Sequence, residues 1–311
     1  MNIKNVVVVG AGMMGNALAQ VFASNPDLHV MLKTRSLKDD RWVPIENNLD
    51  IMIARGAATE EEKKAIMSRI HFVTDDAEAY TNADFVIECY PEVMETKQQL
   101  FCEIENYCSD KCILATNSSV MSSTEIGSQS KHPERVVGAH FWNPGHLIPL
   151  VEVIKSDKTE EWVIDETMEL MTSCGKKPVY CKKDVPGFVA NRLQHALWRE
   201  AFYMVENGIA DAKTVDDACK YGPGLRWPVM GPMENSDLVS IQLTKNIHDY
   251  ILPHLADNHE PSKCLAEMLA RGDNGFKTGK GWQEWTPEQI AASNTGLREY
   301  LIDYIAKQKK A

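Results

Sequence analysis

Residues 5–15 read NVVVVGAGMMG, and the fold follows from the change of character halfway along them. From residue 3 to residue 9 the chain is almost wholly apolar, as a strand of a parallel sheet must be when both its faces are covered. Gly10, Gly12 and Gly15 then stand in the spacing G-x-G-x-x-G, with Met13 and Met14 ahead of the last glycine. After them Ala17, Leu18, Val21 and Phe22 recur at helical intervals until Asn25 and Pro26 stop the helix. Set between a buried strand and a helix, such a triplet has a physical use. Gly10 permits a tight turn, Gly12 leaves the backbone bare for a pyrophosphate, and Gly15 lets helix and strand pack closely. The first N–H groups of the helix, among them those of Met13 and Met14, face the anion. A bound dinucleotide is the expectation.

Working outward, a strand over residues 29–32 completes a βαβ unit. Thr59 with Glu62 forms a capping-box signal, residues 84–89 (DFVIEC) read as a buried strand, and residues 93–107 as a long helix. A strand at 112–116, a helix capped by Ser122 with Glu125, and strands at 136–140 and 151–154 follow, with alternation running to about Cys181. Beyond Pro186 helical periodicity takes over, and Thr286 with Pro287 opens a last helix carrying Ile290, Leu297, Leu301 and Ile305. These patterns predict a Rossmann-like, doubly wound, mostly parallel α/β domain over residues 1–185 and an all-helical C-terminal domain over residues 186–311.

Composition narrows the function. A chain of 311 residues with 44% hydrophobic content is long enough for two cores, and 33 basic against 44 acidic residues give a net charge of −11. That charge repels nucleic acid and anionic membrane surfaces. The basic run Lys307, Lys309 and Lys310 reads as a solvated helix end. Eight cysteines lack zinc or disulfide spacing and read as reduced thiols; Cys108 and Cys112 read as core packing, and no metal is implied. Met1 to Lys4 lead straight into the first strand without a signal peptide, and no apolar run nears the ~20 residues of a bilayer span, so a cytoplasmic compartment is expected.

At the end of the second strand a dinucleotide-binding fold usually places an acid that bonds the adenosine ribose. Here Thr34, Arg35 and Ser36 stand instead. This set suits a 2′-phosphate and favours NADP(H) over NAD(H); alternatively Thr34 bonds the bare ribose and Arg35 stacks on adenine. Further on, His140 opens HFWNP at a strand end and Glu152 lies in the next strand, VEVI. A histidine titrating near neutrality suits an alcohol proton, and a carboxylate on its other nitrogen steadies the imidazolium. On spacing alone, a strand-end histidine is more often structural than catalytic.

Several further segments carry a resemblance: CYPEVMETK at 89–97, TNSS at 116–119, PLVEVI at 149–154, DVPGFVANR at 184–192, MGP at 230–232 and GFKTGKGW at 275–282. With GAGMMG and HFWNP, the chain resembles the 3-hydroxyacyl-CoA dehydrogenase family over nearly its whole length. The resemblance implies NAD(H) as the usual cofactor, His140 as the acid/base with Glu152 as its partner, and substrate hydrogen bonds from Ser119 and Asn191. It puts Glu92 and Lys97 beside the nicotinamide half of the cofactor, counts Asn117 among the cofactor-binding residues, and implies a homodimer through the helical domain. Read without it, Asn117 and Ser119 are turn residues, Asn191 and Arg192 brace a helix, Glu92 is an ordinary acid near a helix start, and Lys97 is solvated.

Residues 222–229, GPGLRWPV, precede MGP where acyl-CoA members pass almost directly from a short turn. This and the loop at 143–149 resemble relatives that act on free acids. Arg226 offers a bidentate fork for a carboxylate beside Trp227, or else lies over that ring; His146 is a lone loop histidine with a possible second contact. The expected activity is hydride transfer between nicotinamide and the 3-hydroxy/3-oxo carbon of a small hydroxy acid. The other readings are a short-chain 3-hydroxyacyl-CoA dehydrogenase and a non-catalytic dinucleotide-binding protein of the lens-crystallin kind.

Overall fold

A computed structural model describes residues 2–309 of the chain. Met1 and Lys310, which enter the leader and basic-tail readings, lie outside the described residues. Two compact units emerge: one takes in the chain up to Ala190 together with the residues from Gly296 on, the other spans Asn191–Thr295.

The first unit is an eight-stranded sheet with helices. Its strands are β1 (Asn5–Val9), β2 (His29–Lys33), β3 (Ile70–Val73), β4 (Phe85–Glu88), β5 (Ile113–Thr116), β6 (Val136–Phe141), β7 (Leu150–Lys155) and β8 (Lys177–Cys181), in the order β3-β2-β1-β4-β5-β6-β7-β8. Every neighbouring pair is parallel except β6 with β7, which run antiparallel. The helices are α1 (Met13–Ala23), α2 (Val43–Ala54), α3 (Glu60–Arg69), α4 (Asp76–Tyr80), α5 (Met94–Ile104), α6 (Ser123–Ile126) and α7 (Glu161–Ser173). Along β1, Val6 and Val8 enter one core cluster while Val7 and Val9 enter another, so the unbroken apolar run is what two covered faces demand. The chain winds from β1 toward β2 on one side and resumes at β4 on the other. A crevice therefore opens at the carboxyl ends of β1 and β4, where doubly wound sheets take ligands.

Capping chemistry sets several helix starts as read from the sequence: Thr59 accepts from the Glu62 N–H with the reciprocal bond present, and Ser122 accepts from the Glu125 N–H. The helix expected to reach residue 107 stops at Ile104, where Cys108 and Cys112 turn into the core beside Phe101 and Leu114. All eight cysteines are free thiols. Among the described residues no helix is long and apolar enough to cross a membrane.

The second unit holds α8 (Ala190–Glu206) from its second residue on, α9 (Ala212–Tyr221), α10 (Pro223–Arg226), α11 (Pro232–Val239), α12 (Ile241–Ile251), α13 (Lys263–Ala270) and the start of α14 (Pro287–Gln308). It is helical apart from isolated β-bridges of Lys280 with Gly275 and with Glu284, which fold the GFKTGKGW segment. Trp198, Phe202 and Trp282 stack in series, with centroids 6.3 and 4.7 Å apart. Of the residues described in this unit only Ala256 and Met268 are fully buried. The rest of α14 belongs to the first unit, where Leu301 and Ile305 of the expected apolar stripe pack against a core cluster. Leu297 is exposed, and Ile302 is the side chain that is buried, against Met52, Ala57 and Leu147. Arg55 fixes this stretch with bonds to Asp303 at 2.8 and 3.1 Å and an ion pair to Glu299 at 3.0 Å.

Candidate active site

The glycine turn is built as its spacing requires. Gly10 sits at φ 104°, and a Cβ on Gly15 would lie 1.7 Å from the Gly10 carbonyl oxygen, so neither position admits a side chain. Gly12 caps α1 without any side-chain cap, and a Cβ there would meet nothing within 4 Å. The first N–H groups of α1 therefore face open space. That space is a cleft of about 910 Å³ lined by Gly10 to Met14, by Lys33, Thr34 and Arg35 at the end of β2, and by Lys38 and Arg41. Its size and its cations suit a dinucleotide, with the diphosphate at the helix start. Thr34 donates from its N–H to the Val73 carbonyl at 2.9 Å and from its hydroxyl to the Ser36 carbonyl at 3.3 Å. Arg41 lies over the Phe72 ring, 5.7 Å from its centroid.

Met14, Cys89 and Tyr90 line this cleft and also a smaller pocket of about 270 Å³ whose other walls include Glu92, Lys97, Asn117, Ser119, His140 and Asn143. Glu92, Lys97, Asn117, Ser119 and His140 thus meet in one place, and Thr34 and Arg35 lie along the adjoining cleft. β6 and β7 pair with His140 directly opposite Glu152, which is why two residues twelve apart in the chain meet. His140 Nδ1 lies 2.9 Å from Glu152 Oε2. Glu152 is fully buried and accepts three further N–H bonds, from Trp142 Nε1 at 3.3 Å and from the Val189 and Ala190 N–H groups at 2.9 and 2.8 Å. Burial pushes its carboxyl up, but the bonds from His140, Ala190, Val189 and Trp142 outweigh that and hold it below the ordinary carboxylate value. An ionised acceptor on Nδ1 keeps the proton on that nitrogen and leaves Nε2 as the basic one.

The loop that supplies two of those N–H groups is itself pinned. Asp184 Oδ2 accepts from the Ser122 and Ser123 hydroxyls at 2.7 and 3.1 Å and from the Thr124 N–H at 2.7 Å. Phe188, at φ 49° on this loop, sets its ring 5.7 Å from the imidazole.

On the other wall stands a second buried charge pair. Lys97, which the residue-by-residue reading expected in solvent, is only 1% exposed and bonds both oxygens of the fully buried Glu88 at 2.8 and 2.9 Å. Glu88 also accepts from the Tyr90 N–H at 2.8 Å and from the Thr116 hydroxyl. Lys97 reaches Glu92 at 3.5 Å. Glu92 in turn receives the Ser118 hydroxyl at 2.7 Å and the Ser119 N–H and hydroxyl at 2.9 and 3.3 Å. Its partial burial raises the carboxyl, while those serines and the Lys97 charge bring it below its ordinary value. Asn117 accepts the Phe141 N–H at 2.9 Å, tying β5 to the end of β6. Glu88 was missed from the sequence; its signal was an acid inside the apolar strand DFVIEC. Asp184 and Trp142 were quoted only as motif letters.

Asn191 and Arg226 lie in the second unit. Asn191 is in the first turn of α8; Arg226 ends α10 exposed, with Nη1 3.4 Å from Asn235 Oδ1. His146, read as a lone loop histidine, lines neither the cleft nor the His140 pocket.

A doubly wound sheet with an uncapped glycine turn at its switch point, opening beside a carboxylate-held histidine, defines an NAD-binding oxidoreductase fold. Residues 5–185 match the family profile of the 3-hydroxyacyl-CoA dehydrogenase NAD binding domain, and residues 187–285 that of the 3-hydroxyacyl-CoA dehydrogenase C-terminal domain. The chain belongs to the 3-hydroxyacyl-CoA dehydrogenase family and is an NAD-dependent dehydrogenase. A 5-formyl-3-hydroxy-2-methylpyridine 4-carboxylate 5-dehydrogenase of Mesorhizobium japonicum is 32% identical over 308 residues, covering 96% of each chain. The mitochondrial hydroxyacyl-coenzyme A dehydrogenase of Homo sapiens is 33% identical over 291 residues, covering 91% of each. A solved structure of a 5-formyl-3-hydroxy-2-methylpyridine 4-carboxylic acid 5-dehydrogenase, described as an NAD+-dependent dismutase, aligns with a TM-score of 0.86 at 30% identity over 97% of both chains.

Proposed function

We propose that His140 is the acid/base of an alcohol dehydrogenation at the 3-position of a small free hydroxy acid, with Glu152 as the group that orients and charges it. The carrying observation is the buried His140–Glu152 contact of 2.9 Å at a pocket continuous with the glycine cleft. Nicotinamide supplies the hydride acceptor or donor when bound. The protein handles the proton: Nε2 of His140 takes it from the substrate hydroxyl, and the charge gained by the ring is met by Glu152, whose four N–H bonds hold it in place. In the reverse direction the imidazolium returns the proton. Ser119 and Asn191 hold the substrate oxygen, and Gly10, Gly12, Met13, Met14 and Gly15 carry the diphosphate. Glu92, Lys97 and Asn117 shape the wall for the nicotinamide half.

Within an NAD-binding family, the finer cofactor reading is a preference for NADP(H) over NAD(H). It is supported by Thr34 where an acid would select a bare ribose and by Arg35, Lys38 and Arg41 around it. For the substrate, amino-acid identity does not separate the two kinds of relative, 32% against 33%, whereas the pyridine-carboxylate enzyme matches over 96% of each chain against 91% for the CoA enzyme. The structural match, a TM-score of 0.86 to the pyridine-carboxylate enzyme against 0.76, 0.76 and 0.68 to solved 3-hydroxybutyryl- and 3-hydroxyacyl-CoA dehydrogenases, favours a free carboxylate, with Arg226 as its anchor. A nucleotide domain followed by a substrate and dimer domain fits this reading, with the second narrowed from the expected 186–311 to Asn191–Thr295, because the residues from Gly296 on belong to the first unit. The helical unit buries only Ala256 and Met268 among its described residues while exposing Leu193, Ile209, Leu238, Ile241 and Ile247, apolar surface that a second copy of the chain would cover.

The test is His140→Gln. Turnover on a panel of free 3-hydroxy acids should fall by about 100-fold or more with cofactor affinity retained. Near-normal turnover removes His140 from the chemistry, and cofactor binding without turnover in the unmutated protein would favour the non-catalytic reading.

A further inference from the structure

A second cavity, of about 650 Å³, lies wholly within the first unit and shares no lining residue with the cofactor cleft or the His140 pocket. Gln20 of α1, Arg69 of α3, His146 in the loop between β6 and β7, Lys176 before β8, Tyr304 of α14 and Lys309 just beyond it are among its walls. The volume falls in the range that takes a small organic molecule rather than a few waters.

Its charge runs against the composition of the chain. Arg69, Lys176, Lys177 and Lys309 line it against Glu62 alone, and Glu62 is already paired with Lys309 at 2.9 Å, in a protein of net charge −11. Lys176 is the centre of this excess. It is 6% exposed, and its ammonium donates to the Gly145 and Ile148 carbonyls at 2.6 and 3.0 Å. Among the described residues no carboxylate stands within salt-bridge distance of it. An ammonium held in the interior on two carbonyl dipoles and 6.0 Å from the centre of the Phe141 ring, with no such carboxylate to neutralise it, is costly until an anion joins it. Burial already pulls its pKa down to about 8.

Two further polar atoms in the wall await partners. Gln20 is 4% exposed, and its Oε1 has none. Because the two ends of a side-chain amide are interchangeable by rotation, that atom and Nε2, now 3.5 Å from Met52 Sδ, can trade places and present a donor. Nδ1 of His146 is likewise buried and unpartnered; burial and the nearby Lys176 charge press this ring down to about 4, so it is neutral at pH 7 and can donate from one nitrogen.

We propose that this cavity binds a small organic anion, whose carboxylate or phosphoryl group is received by Lys176 with Gln20 and Arg69. The proposal is independent of the acid/base assignment of His140. It is tested by isothermal titration calorimetry of citrate, and separately of inorganic phosphate, into the full-length protein saturated with NAD+, so that the cations of the cofactor cleft are already engaged. One of the two should bind once per chain, citrate marking a carboxylate site and phosphate a phosphoryl site. Lys176→Met should then weaken that binding by about 10-fold or more through loss of a charge-assisted bond. If that variant does not fold, Gln20→Leu serves instead and should weaken the same binding by several-fold. Failure of both anions to bind the NAD+-saturated protein, competition between the bound anion and NAD+, or unchanged affinity in the folded variants overturns the proposal.

Discussion

The two walls of the His140 pocket each hold a buried carboxylate bonded to a basic side chain, and they are built for different ends. On the β4 and α5 side both partners are sealed: Lys97 is 1% exposed and Glu88 not at all, with both Glu88 oxygens on the ammonium. On the β6 and β7 side the acid is equally buried, and the base, which lines the pocket as Lys97 does, commits only one of its two nitrogens to that acid. Glu152 takes four N–H bonds, and His140 gives one nitrogen to it and keeps the other. A lysine locked to its acid has a charge that no substrate can change, so it can only hold shape. A histidine with one committed nitrogen can gain and lose a proton without moving. The same pairing of charges therefore yields a fixed wall in one place and a proton carrier in the other.

This contrast can be broken experimentally. Lys97→Met should have the largest effect, leaving the buried Glu88 carboxyl without its charge partner at a cost of about 3–5 kcal/mol in stability. Urea unfolding that gives a loss below about 1 kcal/mol would mean the pair is not sealed. His140→Gln comes next, its effect falling on turnover and not on the unfolding midpoint, which is the signature that separates the two walls. Arg226→Ala touches neither pair and lies exposed on α10. It should raise the Michaelis constant for a free hydroxy acid by about 10-fold with turnover little changed, while an unaltered constant would take Arg226 out of the site. Comparing the Michaelis constants of NAD+ and NADP+ tests the cationic end of the cleft; a lower value for NADP+ is expected, and a clear preference for NAD+ would return Thr34 to the role of ribose partner.

The smallest effect concerns pH. The Glu152 carboxyl sits below its ordinary value of 4.5, so its contribution to stability is complete above that pH and is lost as acidification carries the pH down through the folded value. Melting temperatures of the unmutated protein and Glu152→Gln should thus converge below pH 4.5. A gap that stays constant on acidification would show that the carboxylate is not held ionised by its bonds.

The sheet was legible because its signals are local. Four valines ending at glycines, a capping box at Thr59 and the strand DFVIEC each fix an element through neighbours in the chain. Strand β3 was not read: its four residues, IHFV, follow the charged helix α3 and put His71 in solvent, so no apolar run announces them. The buried state of Lys97 was invisible for a different reason. Its partner Glu88 is nine residues back, on a strand, and only the fold makes them neighbours. The bonds of Asp184 to residues about sixty positions earlier are equally beyond pattern. In α14 an apolar spacing alone could not say that Ile302 faces inward and Leu297 outward, because that depends on where Met52 and Leu147 stand.

The chain quits the sheet unit at Ala190 and rejoins it at Gly296, so the intervening segment is an insertion anchored at both ends and has no loose terminus of its own. Ile302 in its socket and Arg55 on Asp303 act as a clasp at the second anchor. A single proteolytic nick within the insertion would accordingly leave the carboxyl-terminal fragment docked, and two pieces on a denaturing gel would still travel as one particle in native buffer.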